Sequence, residues 1–171
     1  MKLAAFILVV MFMTSVAEAE VIDSAAGGFT SRSVHEIAAQ PDQVWEALED
    51  IGQWWNKDHT RSGDAGNLFL DAEAGEEFGE KIPGGGTVTH MDVVYADNGK
   101  ILRMRGSLGP LQSMALVGVL SVEFAGSADG TTLTVTYAVG GYVDGGLMAL
   151  AAPVDGVITD QFESLRLYVE K

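Results

Sequence analysis

The sequence of 171 residues contains no cysteine, so disulfides cannot stabilise its fold. Basic residues are scarce as well, at 10 against 24 acidic residues, which gives a formal net charge of −14. Because like charges repel, nucleic acid and anionic membrane surfaces are not expected as partners. Stability must come from ordinary core packing, and a chain of this length is long enough for one such domain.

Recognisable metal, phosphate and dinucleotide motifs are also missing. The three histidines, His35, His59 and His90, have no ligand-like spacing, so we expect no metal site. The glycine triplet at 84–86 leads into a strand pattern rather than a helix, which makes it a turn and not a phosphate loop. We therefore expect no cofactor.

What is present begins with an apolar amino-terminal stretch. Lys2 precedes an uncharged apolar block from Leu3 to Met13, and Ala17 and Ala19 supply the small residues that a signal peptidase recognises. The block is too short to cross about 30 Å of hydrocarbon, which takes roughly 20 residues. We predict a signal peptide over residues 1–19, a periplasmic or secreted protein, and no stable membrane anchor after cleavage.

The first part of the mature chain shows one strand pattern and then helical signals. Residues 20–32 are small, polar and glycine-containing, which predicts a flexible lead-in. Alternation predicts a strand at 33–38. A helix is then predicted from Pro41, because proline is accommodated at the first helical position, and a second short helix is predicted after Gly52.

From residue 67 onward the sequence favours antiparallel strands. Apolar and polar residues alternate between turn signals, of which Asn98-Gly99 is the clearest. An apolar stripe with helical spacing starts at about Pro153 and predicts a long C-terminal helix. This order of elements is typical of an α+β fold with one helix packed on a curved sheet.

Specific segments carry a resemblance to a known superfamily. Pro41–Leu48 reads Pro-x-x-Val-Trp-x-Ala-Leu and is followed by a Trp-Trp pair, and Ile101–Gly106, Thr89–Tyr95 and Gly106–Gln112 are further matching segments. Together with the closing helix they resemble the START-like, or Bet v 1-like, helix-grip proteins. The nearest groups are the bacterial activator-of-Hsp90-ATPase homology and polyketide cyclase/dehydrase groups, often called SRPBCC proteins.

The resemblance implies a fold more than a function. It implies an α+β helix-grip domain over residues 33–171, in which a curved antiparallel sheet wraps around a long C-terminal helix and two short helices follow the first strand. The superfamily includes carriers, cyclases, dehydratases and co-chaperone domains, so the fold does not settle the activity.

Glu80 and His90 are the most informative polar residues. They lie on predicted neighbouring strands, and counting back from the turn at 84–86 places them close together across the hairpin. If both point inward, they form an acid–base pair for proton transfer or for holding a polar ligand group. If both point outward, the pair contributes only about 0.5 kcal/mol to the sheet. A buried histidine that has only a structural role is also common, and the sequence leaves these alternatives open.

The other candidate ligand-binding residues fall into two groups. Trp54, Trp55 and His59 follow the first helix, where large side chains either line a cavity mouth or fill the core. The second group lies on the later strands and the C-terminal helix. Its predicted inward-facing residues are Leu102, Met104, Leu116, Leu120, Tyr137 and Phe162, and Tyr137 and Tyr142 could each offer a hydroxyl group to a ligand. The small residues Gly118 and Ala138 favour an internal void over a filled core.

An interior of this kind suits a small hydrophobic or amphipathic molecule held by a few polar groups. We therefore predict an exported ligand-binding domain, and the sequence favours binding over catalysis. Two alternatives stay open. One is a cyclase/dehydratase-type enzyme with Glu80 and His90 as acid and base. The other is a protein-binding module of the co-chaperone type, which export disfavours. The sequence determines neither the ligand nor the oligomeric state.

Overall fold

A single antiparallel sheet dominates the computed structural model, which describes residues 18–171. Its strands are β1 (Glu18–Ala25), β2 (Gly28–Ile37), β3 (Leu68–Leu70), β4 (Glu77–Ile82), β5 (Gly86–Asp97), β6 (Ile101–Gly106), β7 (Ala115–Gly126) and β8 (Thr131–Tyr142). They are arranged in the order β1-β2-β8-β7-β6-β5-β4-β3. The helices in this part of the chain are α1 (Pro41–Glu49), α2 (Ile51–Trp54) and α3 (Met148–Val169). This is the predicted α+β helix-grip architecture.

The amino-terminal region differs from its predicted form. Residues 20–32 are predicted as a flexible lead-in, but the structure places most of β1 and the first half of β2 there. The two strands pair antiparallel, and ladder hydrogen bonds of this kind join backbone groups and do not require apolar side chains. The sheet therefore begins on the amino-terminal side of residue 33, where the domain is predicted to start. The predicted signal peptide lies outside the described residues, except for Glu18 and Ala19 at the start of β1.

Helix α1 forms where its capping residues predict it. Pro41 occupies its first turn, and the backbone N–H of Gln40 donates to Oε1 of Gln43 at 3.0 Å. Its buried face includes Trp45, whose ring packs against Phe124 of β7 with centroids 5.5 Å apart. Helix α1 therefore closes one end of the sheet's inner face.

Helix α3 packs on the inner face of the sheet. Ile158, Phe162 and Leu165 are buried in the core, as the helical spacing predicts. The helix begins at Met148 rather than at Pro153, so the proline lies inside the helix and cannot donate a backbone hydrogen bond there. No helix among the described residues is long and apolar enough to cross a membrane.

The middle of the interior is filled. Tyr137 is fully buried, and its ring lies over Gly118 of the neighbouring strand, where an added Cβ would come within 2.3 Å of a ring carbon. Ala138 points to the outer face of the sheet and is exposed. The expectation that Gly118 and Ala138 leave a void is therefore wrong, because the tyrosine ring fills the space above the glycine.

Candidate functional site

A cavity of about 390 Å³ lies under the amino-terminal half of α3. Apolar side chains form most of its lining: Trp55, Phe78, Leu108, Pro110, Leu111, Met114, Leu150, Pro153, Val154, Val157 and Ile158. The polar side chains of the lining are Asp58, His59, Thr60, Arg61 and His90. Small-molecule sites typically enclose about 300–1,000 Å³ with this kind of mostly apolar lining.

The polar lining residues are distributed unevenly. Asp58, His59 and Arg61 are exposed, so they lie at the mouth of the cavity, and Thr60 is half-buried. His90 is the one buried polar side chain among the lining residues that the structure describes, at 6% exposure. A molecule inside the cavity therefore meets apolar surface on most sides and a single imidazole in the interior.

The segment after α2 forms one wall of the cavity. The indole N–H of Trp55 donates to the carbonyl of His59 at 3.3 Å, and the backbone N–H of Asn56 donates to Oε1 of Gln161 on α3 at 2.8 Å. Trp55 also packs edge-on against Phe78 of β4, with ring centroids 5.3 Å apart. These contacts hold the wall between the helix and the sheet.

The connection between β6 and β7 forms the opposite wall. Its 3-10 turn, Gly109–Ser113, is held to β5 by Gln112, whose side-chain amide donates to the carbonyl of Thr89 at 2.7 Å. The guanidinium of Arg61 donates to the carbonyl of Gly109 at 2.8 Å. Arg61 thus joins the two walls at the mouth.

Glu80 and His90 meet at the floor of the cavity. Nε2 of His90 lies 3.0 Å from Oε2 of Glu80, and the two residues are 6% and 0% exposed. The Glu80 carboxylate also accepts the backbone N–H of Arg61 on Oε2 at 3.0 Å and that of Ser62 on Oε1 at 2.6 Å. Both side chains therefore point inward, the orientation that the sequence left open.

A bulge in the β4–β5 ladder explains how His90 reaches the interior. Phe78 pairs with Met91 and Gly79 pairs with Thr89, so His90 is an extra residue on β5. His90 and Met91 are consequently both buried, although neighbouring residues of a regular strand point to opposite faces. Phe78 then packs beside the imidazole, with ring centroids 4.8 Å apart.

The surroundings of the pair set its charges. Burial raises the pKa of Glu80, but hydrogen bonds from Ser62, Arg61 and His90 outweigh burial and hold the pKa below its ordinary value. Burial is the largest cause that lowers the pKa of His90 below its ordinary value, and the neighbouring Glu80 opposes it. At neutral pH the site therefore holds a carboxylate beside a neutral imidazole, which is an arrangement suited to accepting a proton.

A second histidine–glutamate pair lies between β2 and α3. Nδ1 of His35 is 3.7 Å from Oε2 of Glu163, and Nε2 is 2.9 Å from Oγ of Ser33. Arg166 donates two hydrogen bonds to Glu163 and also pairs with Glu170. His35 does not line the cavity, so this pair joins the helix to the sheet.

The structure separates the predicted ligand-binding residues into two sets. Trp55, His59 and His90 line the cavity, and Glu80 supports His90 from behind. The core instead contains Trp54, Leu102, Met104, Leu116, Leu120, Tyr137 and Phe162, all buried and none of them in the cavity lining. Tyr142 lies at the end of β8 with 75% exposure, away from the cavity.

Several residues that line the cavity or hold Glu80 are missing from the predicted set. Leu150, Val154 and Val157 belong to the apolar stripe of α3, where spacings of four and three residues continue the buried positions towards the amino terminus. That continuation is the signal in the sequence that indicates them. Arg61 and Ser62 carry no such signal, because they hold Glu80 through backbone N–H groups that every residue except proline has.

A family model matches nearly all of the described chain. The family is described as polyketide cyclase/dehydrase and lipid transport, and the match covers residues 29–170. Among curated proteins, epidermal growth factor receptor kinase substrate 8-like protein 2 from Homo sapiens is 40% identical over 72 residues. That match covers 36% of this chain, which spans about 10% of the relative's length.

Solved structures share the fold at low sequence identity. Protein MLL2253 from Mesorhizobium loti is similar with a TM-score of 0.61 and 18% identity, over 82% of this chain and 96% of that chain. DynU16, described as a protein in the dynemicin biosynthetic locus, is similar with a TM-score of 0.56 and 20% identity, over 82% of this chain and 46% of that chain. At these identities the likeness shows the fold alone.

Proposed function

The chain belongs to the polyketide cyclase/dehydrase and lipid transport family, and from that premise we propose that it binds a hydrophobic or amphipathic small molecule in the cavity under α3. The observation that carries the proposal is the cavity itself, with eleven apolar side chains in its lining and His90 as its buried polar group. Such a site gains affinity from apolar burial and orientation from a few polar contacts. The position of DynU16 in a biosynthetic locus is consistent with a small-molecule ligand.

Binding of an uncharged dye tests this proposal. N-phenylnaphthylamine fluoresces strongly in apolar surroundings, and we expect saturable enhancement when it is titrated with the purified protein. Native mass spectrometry of the same sample checks for a molecule carried through purification. If neither measurement detects a bound species, the proposal fails.

A matched pair of variants shows whether the cavity is the binding site. Val157 is half-buried and lines the cavity, so Val157→Phe fills part of its volume, and we expect dye affinity to fall at least about tenfold. Val117 lies on the outer face of β7 with 57% exposure, so Val117→Phe makes the same chemical change away from the cavity. Equal effects of the two substitutions would place dye binding elsewhere.

The Glu80–His90 pair supports a second candidate function, proton-transfer catalysis of the cyclase/dehydratase type. Neutral His90 lies at the cavity floor and can take a proton from a bound substrate, and the carboxylate 3.0 Å away stabilises the imidazolium that forms. A general base is oriented by a hydrogen bond to a neighbouring group. Here Glu80 orients His90, and two backbone N–H groups hold the Glu80 carboxylate in place.

Hydrogen–deuterium exchange on a carbonyl compound tests the catalytic candidate. Acetylnaphthalene places an acidic methyl group beside an apolar ring system, and its exchange in deuterated water can be followed by NMR. We expect the protein to accelerate exchange and His90→Gln to reduce it to the background rate, with dye binding retained as evidence of folding. Exchange at the background rate with the unaltered protein would leave binding as the function.

We also propose that the protein is exported, as the amino-terminal sequence predicts. Cleavage after Ala19 would remove two residues of β1 and leave Glu20–Ala25, most of which pair with β2. Expression of the full chain in a Gram-negative host, followed by mass spectrometry of the periplasmic fraction, is expected to give a protein that begins at Glu20. An uncleaved cytoplasmic protein would contradict export.

A further inference from the structure

The two ring nitrogens of His90 have different partners. Nε2 lies 3.0 Å from Oε2 of Glu80. Because an ionised carboxylate can only accept hydrogen bonds, we assign the ring hydrogen to Nε2. In the neutral imidazole, Nδ1 then carries a lone pair and acts only as an acceptor.

The backbone around Glu80 keeps this tautomer in place. Oε2 accepts the N–H of Arg61 and Oε1 accepts the N–H of Ser62, and backbone N–H groups can only donate. Hydrogen bonds donated to both oxygens favour the ionised carboxylate over the protonated carboxyl group. The carboxylate therefore stays an acceptor, and Nε2 of His90 stays the donor to it.

Nδ1 of His90 is free to meet a ligand. None of the described residues forms a hydrogen bond with it. Some buried polar atoms both lack a hydrogen bond and have no access to solvent, but Nδ1 of His90 is not one of them, so it is accessible. Nδ1 of His35 does belong to that group. Since His90 lines the cavity and is otherwise buried, the cavity is where its acceptor is available.

We propose that the site selects apolar molecules that carry an uncharged hydroxyl group, such as a phenol, an enol or an alcohol, and that Nδ1 of His90 accepts the hydroxyl hydrogen. The inference rests on the proposed binding function and adds the chemistry of the ligand's polar group. An ether of the same shape leaves the acceptor unpaired in apolar surroundings. A carboxylate is worse, because it places lone pairs and negative charge close to Nδ1 and to the charged Glu80.

Three related probes test the selection: naphthol, methoxynaphthalene and naphthoate, each substituted at the same ring position. Affinities are measured at neutral pH by displacement of N-phenylnaphthylamine. For the unaltered protein we expect naphthol to bind about tenfold more tightly than methoxynaphthalene, and naphthoate to bind most weakly. In His90→Phe, naphthol and methoxynaphthalene are expected to bind equally.

The outcomes separate this inference from the function on which it rests. Equal binding of naphthol and methoxynaphthalene to the unaltered protein, or preference for naphthoate, would overturn hydroxyl selection and leave ligand binding intact. Absence of binding by every probe and by the dye would overturn both.

Nitrogen NMR of the imidazole gives an independent check that needs no variant. We expect a protonated Nε2 and an unprotonated Nδ1 for His90, with the Nδ1 resonance shifting when naphthol is added. The opposite tautomer would overturn the inference even if His90→Phe failed to fold.

Discussion

The two histidine–glutamate pairs of the inner face are similar in chemistry and different in setting. His35 and His90 are both buried, and burial is the main cause that lowers the pKa of each. Glu80 is fully buried and held by backbone N–H groups, whereas the side chain of Glu163 is 32% exposed and held by Arg166. One nitrogen of His90 is available to the cavity, but Nδ1 of His35 is closed to solvent without a hydrogen bond.

The comparison shows that burial and a carboxylate neighbour are not enough to make a functional histidine. Both pairs have those features, and burial lowers the pKa of both histidines. What distinguishes His90 is an accessible nitrogen facing a mostly apolar cavity. Perturbed pKa values indicate candidate sites only together with such geometry.

The largest difference between the pairs is expected from removing the glutamate charge. Glu80→Gln brings an amide NH₂ group towards the backbone N–H of Arg61 or Ser62, so two buried donors oppose each other. We expect the free energy of unfolding to fall by about 3 kcal/mol. Glu163→Gln should cost about 1 kcal/mol or less, because its site is partly exposed. Urea denaturation at neutral pH measures both, and equal losses would contradict the difference in burial.

The next largest difference is expected in ligand affinity, which should depend on His90 and not on His35. His90→Phe should weaken naphthol binding about tenfold because the acceptor is lost. His35→Phe should leave the affinity within about twofold, since His35 does not line the cavity. Each variant is checked for folding by circular dichroism before the titration. A tenfold loss in His35→Phe would mean that the two pairs are coupled.

Acidification should weaken the fold through both pairs. Because the pKa of each histidine is lowered in the folded state from 6.5, the unfolded chain binds more protons as the pH falls below that value. The stabilisation is present above pH 6.5 and is lost as the pH falls towards the folded values. Glu80, whose pKa is lowered from 4.5, adds a further loss at more acidic pH. Urea midpoints across this range measure the slope, which His35→Gln should reduce, and a rise in stability on acidification would contradict the assignment.

The smallest effect is expected from Arg166, which acts on one pair alone. Arg166 lies beside Glu163 and its charge contributes to lowering the pKa of His35. Arg166→Gln should therefore raise the pKa of His35, leave that of His90 unchanged, and cost about 0.5 kcal/mol of stability. NMR titration of the two imidazoles measures both. A change at His90 would show that the pairs do not titrate independently.

Much of the fold could be predicted because its pattern is local. Alternation along β8 and the helical stripe of α3 identify the elements that form the core. The proximity of Glu80 and His90 followed from the turn between their strands. Strand β1 was missed because its small and polar residues carry no alternation, and its pairing partner is what makes it a strand.

The cavity lining was harder to predict. Alternation along a strand shows which side chains face inward, but it does not show which of them helix α3 covers. Leu102 and Leu120 point inward as predicted, yet they lie in the filled core. Residues of α3 line the cavity only in its amino-terminal half. The difference between core and cavity depends on where the helix lies over the sheet, and no local pattern encodes that.

The Glu80–His90 pair separates what the amino-acid sequence determines from what the tertiary structure determines. The sequence by itself determined the class of fold, the acidic character of the chain and the presence of an acid and a base on one hairpin, because these depend on composition and short-range spacing. Only the tertiary structure decided that His90 occupies a bulge, that backbone N–H groups from a distant loop hold Glu80, and that a cavity lies above the imidazole. Each of these depends on contacts between residues far apart in the chain, which composition and spacing do not specify.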